Sequence, residues 1–275
     1  MNFKQANKYI SGLKEKNVKF DLKQMQELVK NAGINAEKLK AIHVTGSNGK
    51  GSTTAFISSV LTEAGYKTGT YTSPHLVSIT ERIRINGKNI SEKEFAKHIS
   101  LVSLAGKKMA EPPSYFEVLT AAAFSYFLEK KVEIAVAEVG LGGRLDATNT
   151  LNALVNVFTD ISLEHTNVLG PTIKHIAVEK AHIIKQNSFT VVSKQNAGYS
   201  TIKKFAQEKN SEIVSPTFKM VSSNAQMQKF DLIQPFALKN AEIKLIGEYQ
   251  IENASLALSA IFCLQKKGFK ISKKA

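Results

Sequence analysis

The stretch HVTGSNGKGSTTA, residues 43–55, decides the fold. It is a glycine-rich turn between an apolar run and a helical pattern, close to a phosphate-binding loop. The common spelling G-x-x-x-x-G-K-[ST] would place a glycine at 44, where Val44 stands, and a hydroxyl residue at 51, where Gly51 stands. The physics survives both departures. In a strand-to-helix turn, successive backbone N–H groups and the helix N-terminus face phosphate oxygens, and a lysine adds a point charge. Gly46, Gly49 and Gly51 permit close approach, Lys50 stands where that charge is needed, and Ser52 or Thr53 supplies the hydroxyl.

Outward from this loop the pattern is strand–helix–strand. IHVT (42–45) reads as a strand, GKGSTTAFISSVLTEAG as a helix ended by Gly65, and YKTGTYT as the next strand. Alternation in SITERIRIN (78–86) predicts another strand, and SEKEFAKHISLVSLAGKK a helix opened by a capping box from Ser91 to Glu94. FEVLTAAAFSYFLEKK is helical, and VEIAVAEVG (132–140) is a strand of the buried parallel type. ALVNVFTD, TIKHIAVEKAHIIK, FTVVS and YSTIKKFAQEK continue the alternation, which predicts an α/β, doubly wound, mostly parallel sheet with helices on both faces. Residues 1–40 read as two short helices around a loop at NVKFDLKQ. Pieces at 217–246 (FKMV, KFDLI, EIKLI) suggest a small antiparallel β flap, followed by a last amphipathic helix from Gln250 to Lys267.

Composition narrows the function. With 275 residues, 43% of them apolar and 22% charged, the chain is long enough to bury a large core. No apolar run reaches a membrane span and MNFKQANKYI lacks a signal-peptide core, so a cytoplasmic protein is expected, with no membrane partner. The net charge of +14 first suggests nucleic acid, but of 37 basic residues only Arg82, Arg84 and Arg144 are arginines, and the lysines are scattered. No nucleic-acid motif accompanies them, and anionic small substrates are the expected partners. Cys263, the single cysteine, lies in an apolar helical pattern and reads as a buried thiol.

The loop T-G-S-N-G-K-G-S resembles the nucleotide loop of the Mur ligase superfamily. Its K-G-[ST] ending is similar to the folylpolyglutamate synthase and dihydrofolate synthase branch. Further stretches carry the same resemblance: YTSPHLVSITERIRING (71–87), SYFEVLTAAA (114–123), EVGLGGRLDATN (138–149), LEHTNVLG (163–170) and EKAHIIK (179–185). The resemblance implies ATP-dependent amide ligation: a folate or dihydropteroate carboxylate is phosphorylated, and the amine of L-glutamate displaces phosphate. Such chemistry rests on positioning and cationic stabilisation.

The resemblance also implies roles. Gly46, Ser47, Asn48, Gly49, Lys50, Gly51 and Ser52 would bind ATP, with Asn253 on the adenine side. Ser73 and Glu138 would hold a Mg²⁺, while His165 and Lys180 would serve a second ion, Lys180 as a carbamate and thus an oxygen ligand. Lys50, Lys180 and His165 are the expected catalytic residues. Arg82, Phe116 and Asp146 would line the pterin and aminobenzoate pocket; because Arg82 and Arg84 alternate along the predicted strand, only one is expected to face it. Tyr249 and Glu164 depart from the family's usual histidine and aspartate. A rival reading takes His175, Glu179 and His182, spaced along one helical face, as a transition-metal site.

Members of the family continue into a second α/β domain that supplies glutamate binding and an arginine contact to ATP. Residues 1–275 are therefore expected to form the ATP-binding lobe alone, as a monomer. A nucleotide-binding module without ligase activity is the alternative. The choice between dihydropteroate and reduced folate is expected to involve the loop around residues 14–25.

Overall fold

A computed structural model describes residues 1–13 and 21–275. Two N-terminal helices, α1 (Phe3–Gly12) and α2 (Leu22–Asn31), precede strand β1 (Ala41–Thr45), which feeds helix α3 (Lys50–Glu63). Then come β2 (Thr68–Tyr71), β3 (Ile83–Ile85), β4 (Lys88–Asn89), α4 (Glu92–Gly106), α5 (Tyr115–Glu129) and β5 (Ile134–Glu138). The second half runs β6 (Val155–Phe158), a short α6 (Thr166–Leu169), α7 (Ile173–Ala181), β7 (Phe189–Val192), α8 (Tyr199–Glu208) and β8 (Glu212–Val214). A three-stranded flap, β9 (Thr217–Ser223), β10 (Gln228–Gln234) and β11 (Leu238–Ile243), precedes the last helix α9 (Glu248–Lys266). Of the predicted N-terminal loop, residues 14–20 lie outside the described residues.

The main sheet has the order β4-β3-β2-β5-β1-β6-β7-β8, and the flap the order β11-β10-β9. All pairs from β2 to β8 are parallel; β3 and β4 extend the β2 edge antiparallel. Every residue of β1, β2, β5, β6 and β7 is buried, as a sheet covered on both faces requires. Alternate residues divide between the layers. Ala41 of β1 with Ala135 and Ala137 of β5 face α1, α2, α4 and α5, their small side chains admitting the helices closely. Ile42, Val44, Ile134, Val136, Val155 and Val157 face α3 and α9 on the other side. Further along, Phe158 and Val192 meet Ile176 of α7 and Ile202 of α8. No described helix is long and apolar enough to cross a membrane.

Two expectations need correction. The stretch 78–86 is not one strand: Ile79–Arg82 form a 3₁₀ turn, capped reciprocally by Ser78 and Glu81, and only Ile83–Ile85 are strand. The S-x-x-E signature at 78–81 outcompetes the alternation because it satisfies backbone donors locally, Glu81 accepting the N–H groups of Leu76, Val77 and Ser78 at 2.9, 3.1 and 2.7 Å. Conversely, at α4 only half of the expected box forms. Ser91 Oγ accepts the Glu94 N–H at 3.2 Å, but the Glu94 carboxylate turns to Lys130 Nζ at 3.0 Å. A full box occurs instead at Ser114 and Glu117, opening α5.

Candidate active site

The loop 46–49 leaves the carboxyl end of β1, with β5 on one side and β6 on the other, where open α/β sheets bind ligands. Two glycines are required by the packing. At Gly46 (φ +153°) a Cβ would collide with Thr159 Oγ1; at Gly49 (φ +84°) it would overlap the Asn253 carboxamide. The loop is tied to the segment after β6: Ser47 N–H donates to Asp160 O at 2.6 Å, and Ser47 Oγ to Ser162 O at 3.1 Å. Asn48 Nδ2 donates to Asp160 Oδ2 and Ser162 Oγ at 3.1 and 3.2 Å. From the other side, α9 seats on α3: Gln250 Nε2 donates to Ser52 Oγ at 3.3 Å, and Asn253 Nδ2 to Gln250 Oε1 at 3.1 Å. Asn253 is therefore against the loop, while Thr53 Oγ1 is buried without a hydrogen-bond partner. Gly51 is exposed, its Cβ position 3.9 Å from Glu138 Oε2.

Two ammonium groups converge on one carbonyl. Lys50 Nζ donates to Gly46 O at 2.9 Å and Ser47 O at 3.0 Å, and Lys180 Nζ donates to the same Gly46 O at 2.9 Å. Lys180 is 2% exposed; its burial, with the Lys50 charge, pulls its pKa below the ordinary lysine value. Its counter-ion is Glu164, at 2.7 Å. Against the upward pull of its own burial, the hydrogen bond and charge of Lys180 hold Glu164 below the usual carboxylate range. His165, the next residue, is exposed, in a left-handed conformation (φ +42°) at the start of α6.

At the end of β5, Glu138 is 4% exposed, and burial pushes its pKa up to about 7. Among the described residues it accepts one hydrogen bond, from Ser73 N–H to Oε2, a long one at 3.3 Å. The charges of Lys50, Arg84 and Arg82 all draw its pKa down. Both arginines therefore act on this carboxylate. The 3₁₀ turn ends at Arg82 and the strand begins at Ile83, so the two arginines do not share one two-residue alternation. Arg82 Nε donates to His75 Nδ1 at 2.8 Å, its guanidinium over the Tyr115 ring at 5.5 Å, and Arg84 Nη2 reaches Thr72 Oγ1 at 3.3 Å. A buried carboxylate that takes one long backbone bond from Ser73, itself a hydroxyl residue, offers hard-oxygen donors of the kind that fit Mg²⁺.

The residues expected to line the substrate pocket adjoin Gly140, just past the end of β5. Phe116 is partly buried, its ring 6.0 Å from that of Tyr71 and so close to Gly140 that a Cβ there would fall 2.5 Å from Phe116 Cζ. Asp146 accepts the N–H groups of Gly140, Leu141 and Thr148 at 3.0, 2.9 and 3.0 Å, and the Thr148 hydroxyl as well. Burial raises its pKa, opposed by those bonds. His43 Nε2 meets Thr148 Oγ1 at 2.7 Å beneath it.

The rival site at 175, 179 and 182 does not assemble. His175 Nδ1 bonds Thr172 Oγ1 at 2.8 Å, Glu179 pairs with Arg144 at 3.0 Å, and His182 caps α7 with Nδ1 2.7 Å from Val178 O. His182 is the C-cap of α7, its Nδ1 engaged with the Val178 carbonyl, so each of the three residues is bonded to a different partner. Sequence reasoning did not select Thr159, Asp160, Ser162 or Gln250, and it read Glu164 only as a departure from the family's aspartate. Glu164 adjoins His165, but its pairing spans a loop and a helix that no spacing rule connects.

The Mur ligase middle domain matches residues 44–261. The chain is 36% identical over 278 residues to the dihydrofolate synthase/folylpolyglutamate synthase of Bacillus subtilis, covering 96% of this chain and 64% of that protein. In structure it resembles apo folylpolyglutamate synthase of L. casei (TM-score 0.92, 28% identity, 100% of this chain, 70% of that one). It also resembles E. coli FolC in complex with DHPP and ADP (TM-score 0.87, 30% identity, 100% of this chain, 64% of that one). The chain thus spans less than two thirds of the Bacillus enzyme's length. The glycine loop, the buried strand-end glutamate and the match over 44–261 together place this chain in the Mur ligase family.

Proposed function

We propose that the chain is the nucleotide-binding lobe of an enzyme that ligates L-glutamate to a folate or dihydropteroate carboxylate at the expense of ATP. The observation that carries this reading is the convergence of Lys50 and Lys180 on Gly46 O, at the carboxyl edge of the sheet beside the buried Glu138. The folate class of acceptor is supported by the relatives: one neighbouring structure is a folylpolyglutamate synthase complex with AMPPCP and folate, and E. coli FolC is in complex with DHPP and ADP.

The two ammonium groups hold the loop around its own carbonyl. On binding, backbone N–H groups of the loop and the start of α3 take the phosphate oxygens, and Lys50 turns from Gly46 O and Ser47 O to the transferring phosphoryl group. Asn253 and Gln250 wall the adenine side. Glu138 and Ser73 would hold Mg²⁺, which supplies Lewis-acid neutralisation of phosphate charge. Lys180, with Glu164 and His165, would serve a second ion; a carbamate on Lys180 turns the buried cation into an anion beside Glu164, a pair that only a cation stabilises. Arg82 is placed to meet a substrate carboxylate and Phe116 to stack on a flat ring, while the Asp146 carboxylate holds the loop on which that ring would rest. No nucleic-acid or membrane partner is required, and the lobe acts as a monomer in the cytoplasm.

The share of the relatives' length that the chain spans favours a second reading, binding without complete ligation. ADP release measured with Mg-ATP, L-glutamate and either dihydropteroate or tetrahydrofolate separates the two. Substrate-dependent turnover by residues 1–275 alone supports ligation here; tight Mg-ATP binding with turnover only after a separate C-terminal lobe is added supports the second. Absence of Mg-ATP binding sinks both.

A further inference from the structure

We propose that Glu94 and His98 of α4, together with Glu129 at the end of α5, form a binding site for a divalent first-row transition cation, Zn²⁺ foremost, that clips the two helices together. Glu129 ends the helix that leads into the start of β5, so the site belongs to the amino edge of the sheet. The nucleotide loop is at the carboxyl edge, and no residue is shared.

The geometry of one nitrogen carries the inference. His98 is 2% exposed, and its Nε2 is buried with no hydrogen-bond partner. It points between two carboxylates, 3.6 Å from Glu94 Oε2 and 3.7 Å from Glu129 Oε2. Those separations are too long for hydrogen bonds. They are close to what two ligands of one tetrahedral ion require, since donor atoms about 2.0–2.2 Å from zinc lie roughly 3.4 Å apart. The donor atoms of all three residues lie within 4.8 Å of one another, and Glu94 Oε2 is also buried without a partner.

The surroundings prepare each ligand. His98 Nδ1 is 2.8 Å from Ser125 Oγ; with Nδ1–H donating there, the Nε2 lone pair is directed at the ion, the arrangement by which an outer hydrogen bond fixes a ligating ring. Each carboxylate divides its oxygens, Glu129 Oε1 taking Lys97 Nζ at 2.6 Å and Glu94 Oε1 taking Lys130 Nζ at 3.0 Å. The second oxygen of each turns inward. Those lysine bonds hold both carboxylates below their ordinary pKa, and burial holds His98 below its own, so all three are in the ligating state at neutral pH. The other titratable group facing the cluster is Tyr126, its ring 5.4 Å from that of His98. Imidazole with two carboxylates suits zinc better than Mg²⁺, which prefers oxygen ligands and its own water shell. Lys97 and Lys130 sit at the rim and oppose the ion electrostatically, so their removal should tighten binding.

The test titrates the untagged, chelator-stripped chain with Zn²⁺ alone, in competition with a chromophoric chelator, and repeats it with Co²⁺ to read ligand-field absorption. One equivalent is expected to bind with the intense bands of a tetrahedral site. His98→Gln and Glu129→Gln should each weaken binding at least about tenfold, Lys97→Gln should strengthen it, and Zn²⁺ should raise the Tm of the parent but not of His98→Gln. Glu129 is at the exposed rim, so Glu129→Gln keeps the test valid if the buried His98 variant folds poorly. Affinities within twofold of the parent in both Gln variants, or no zinc uptake by the parent chain, would overturn the proposal.

Discussion

Glu138 and Asp146 stand at two ends of the segment that leaves β5, both almost fully buried, both with pKa values raised by that burial. Their bonding differs. Asp146 takes three backbone N–H groups and a hydroxyl, which fills its lone pairs and turns the segment 140–148 back on itself. Among the described residues Glu138 takes a single long bond, from Ser73 N–H, and is otherwise under the influence of cationic charge at a distance. The first carboxylate has its lone pairs filled by the fold, while the second keeps spare lone pairs beside the glycine loop and is the one proposed for the cation. Burial alone does not separate the two, whereas the count of donors does.

The largest effect should come from Glu138→Gln, which lowers metal-dependent ATP turnover by about 10²–10³-fold, measured as ADP release with the full catalytic assembly. Its stability should move the other way. Between about 4.5 and about 7 the native state holds a proton that the unfolded chain has released, so stability falls as pH rises through that window. The amide has no such dependence, and urea melts at pH 8 should find it the more stable chain, by roughly 3 kcal/mol. Equal losses of stability in Glu138→Gln and Asp146→Asn would erase the distinction between the two carboxylates. Asp146→Asn should cost about 3 kcal/mol, because an amide N–H₂ then faces N–H donors in a buried turn.

His43 sharpens the same contrast at the foot of the Asp146 network. It is fully buried, and burial followed by the Lys185 charge lowers its pKa to about 3. As pH falls below 6.5 the unfolded chain binds a proton that the native state refuses, so stability declines from pH 6.5 toward 3, by about 2 kcal/mol at pH 5. His43→Gln should flatten that slope in chemical denaturation; an unchanged slope would assign it to other groups. Smallest is Ser73→Ala. The bond to Glu138 comes from the backbone, so the Tm should hold, while the Mg²⁺ needed for half-maximal ATP binding rises several-fold, to at most about tenfold. No change in Mg²⁺ demand removes the Ser73 hydroxyl from the cation site.

What the sequence made legible was what is local. The glycines and lysine of 46–52 lie in one turn, and the alternation of apolar runs with amphipathic ones predicts the layers before any contact is known. Capping chemistry was legible too, but it competes with periodicity: at 78–86 the alternation suggested a strand while Ser78 and Glu81 were already spelling a helical turn. Glu164 and Asp160 could not be found this way. Their importance comes from meeting Lys180 and Asn48, residues brought together only when β1, β6 and α7 occupy their places in the sheet. The donors that fill Asp146 were equally hidden, since only the folded segment 140–148 brings them to it.

The seat of α9 on the nucleotide loop has a consequence for how this protein comes into being. The loop and α3 are made early, yet Gln250 and Asn253, which close over Ser52 and Gly49, emerge about two hundred residues later. Until they arrive, the phosphate cradle lacks one wall, and the long sequence separation makes that closure a late event. A ribosome-bound nascent chain should therefore acquire nucleotide affinity abruptly rather than by degrees, and ATP becomes a probe of whether everything between the first strand and the last helix has found its place.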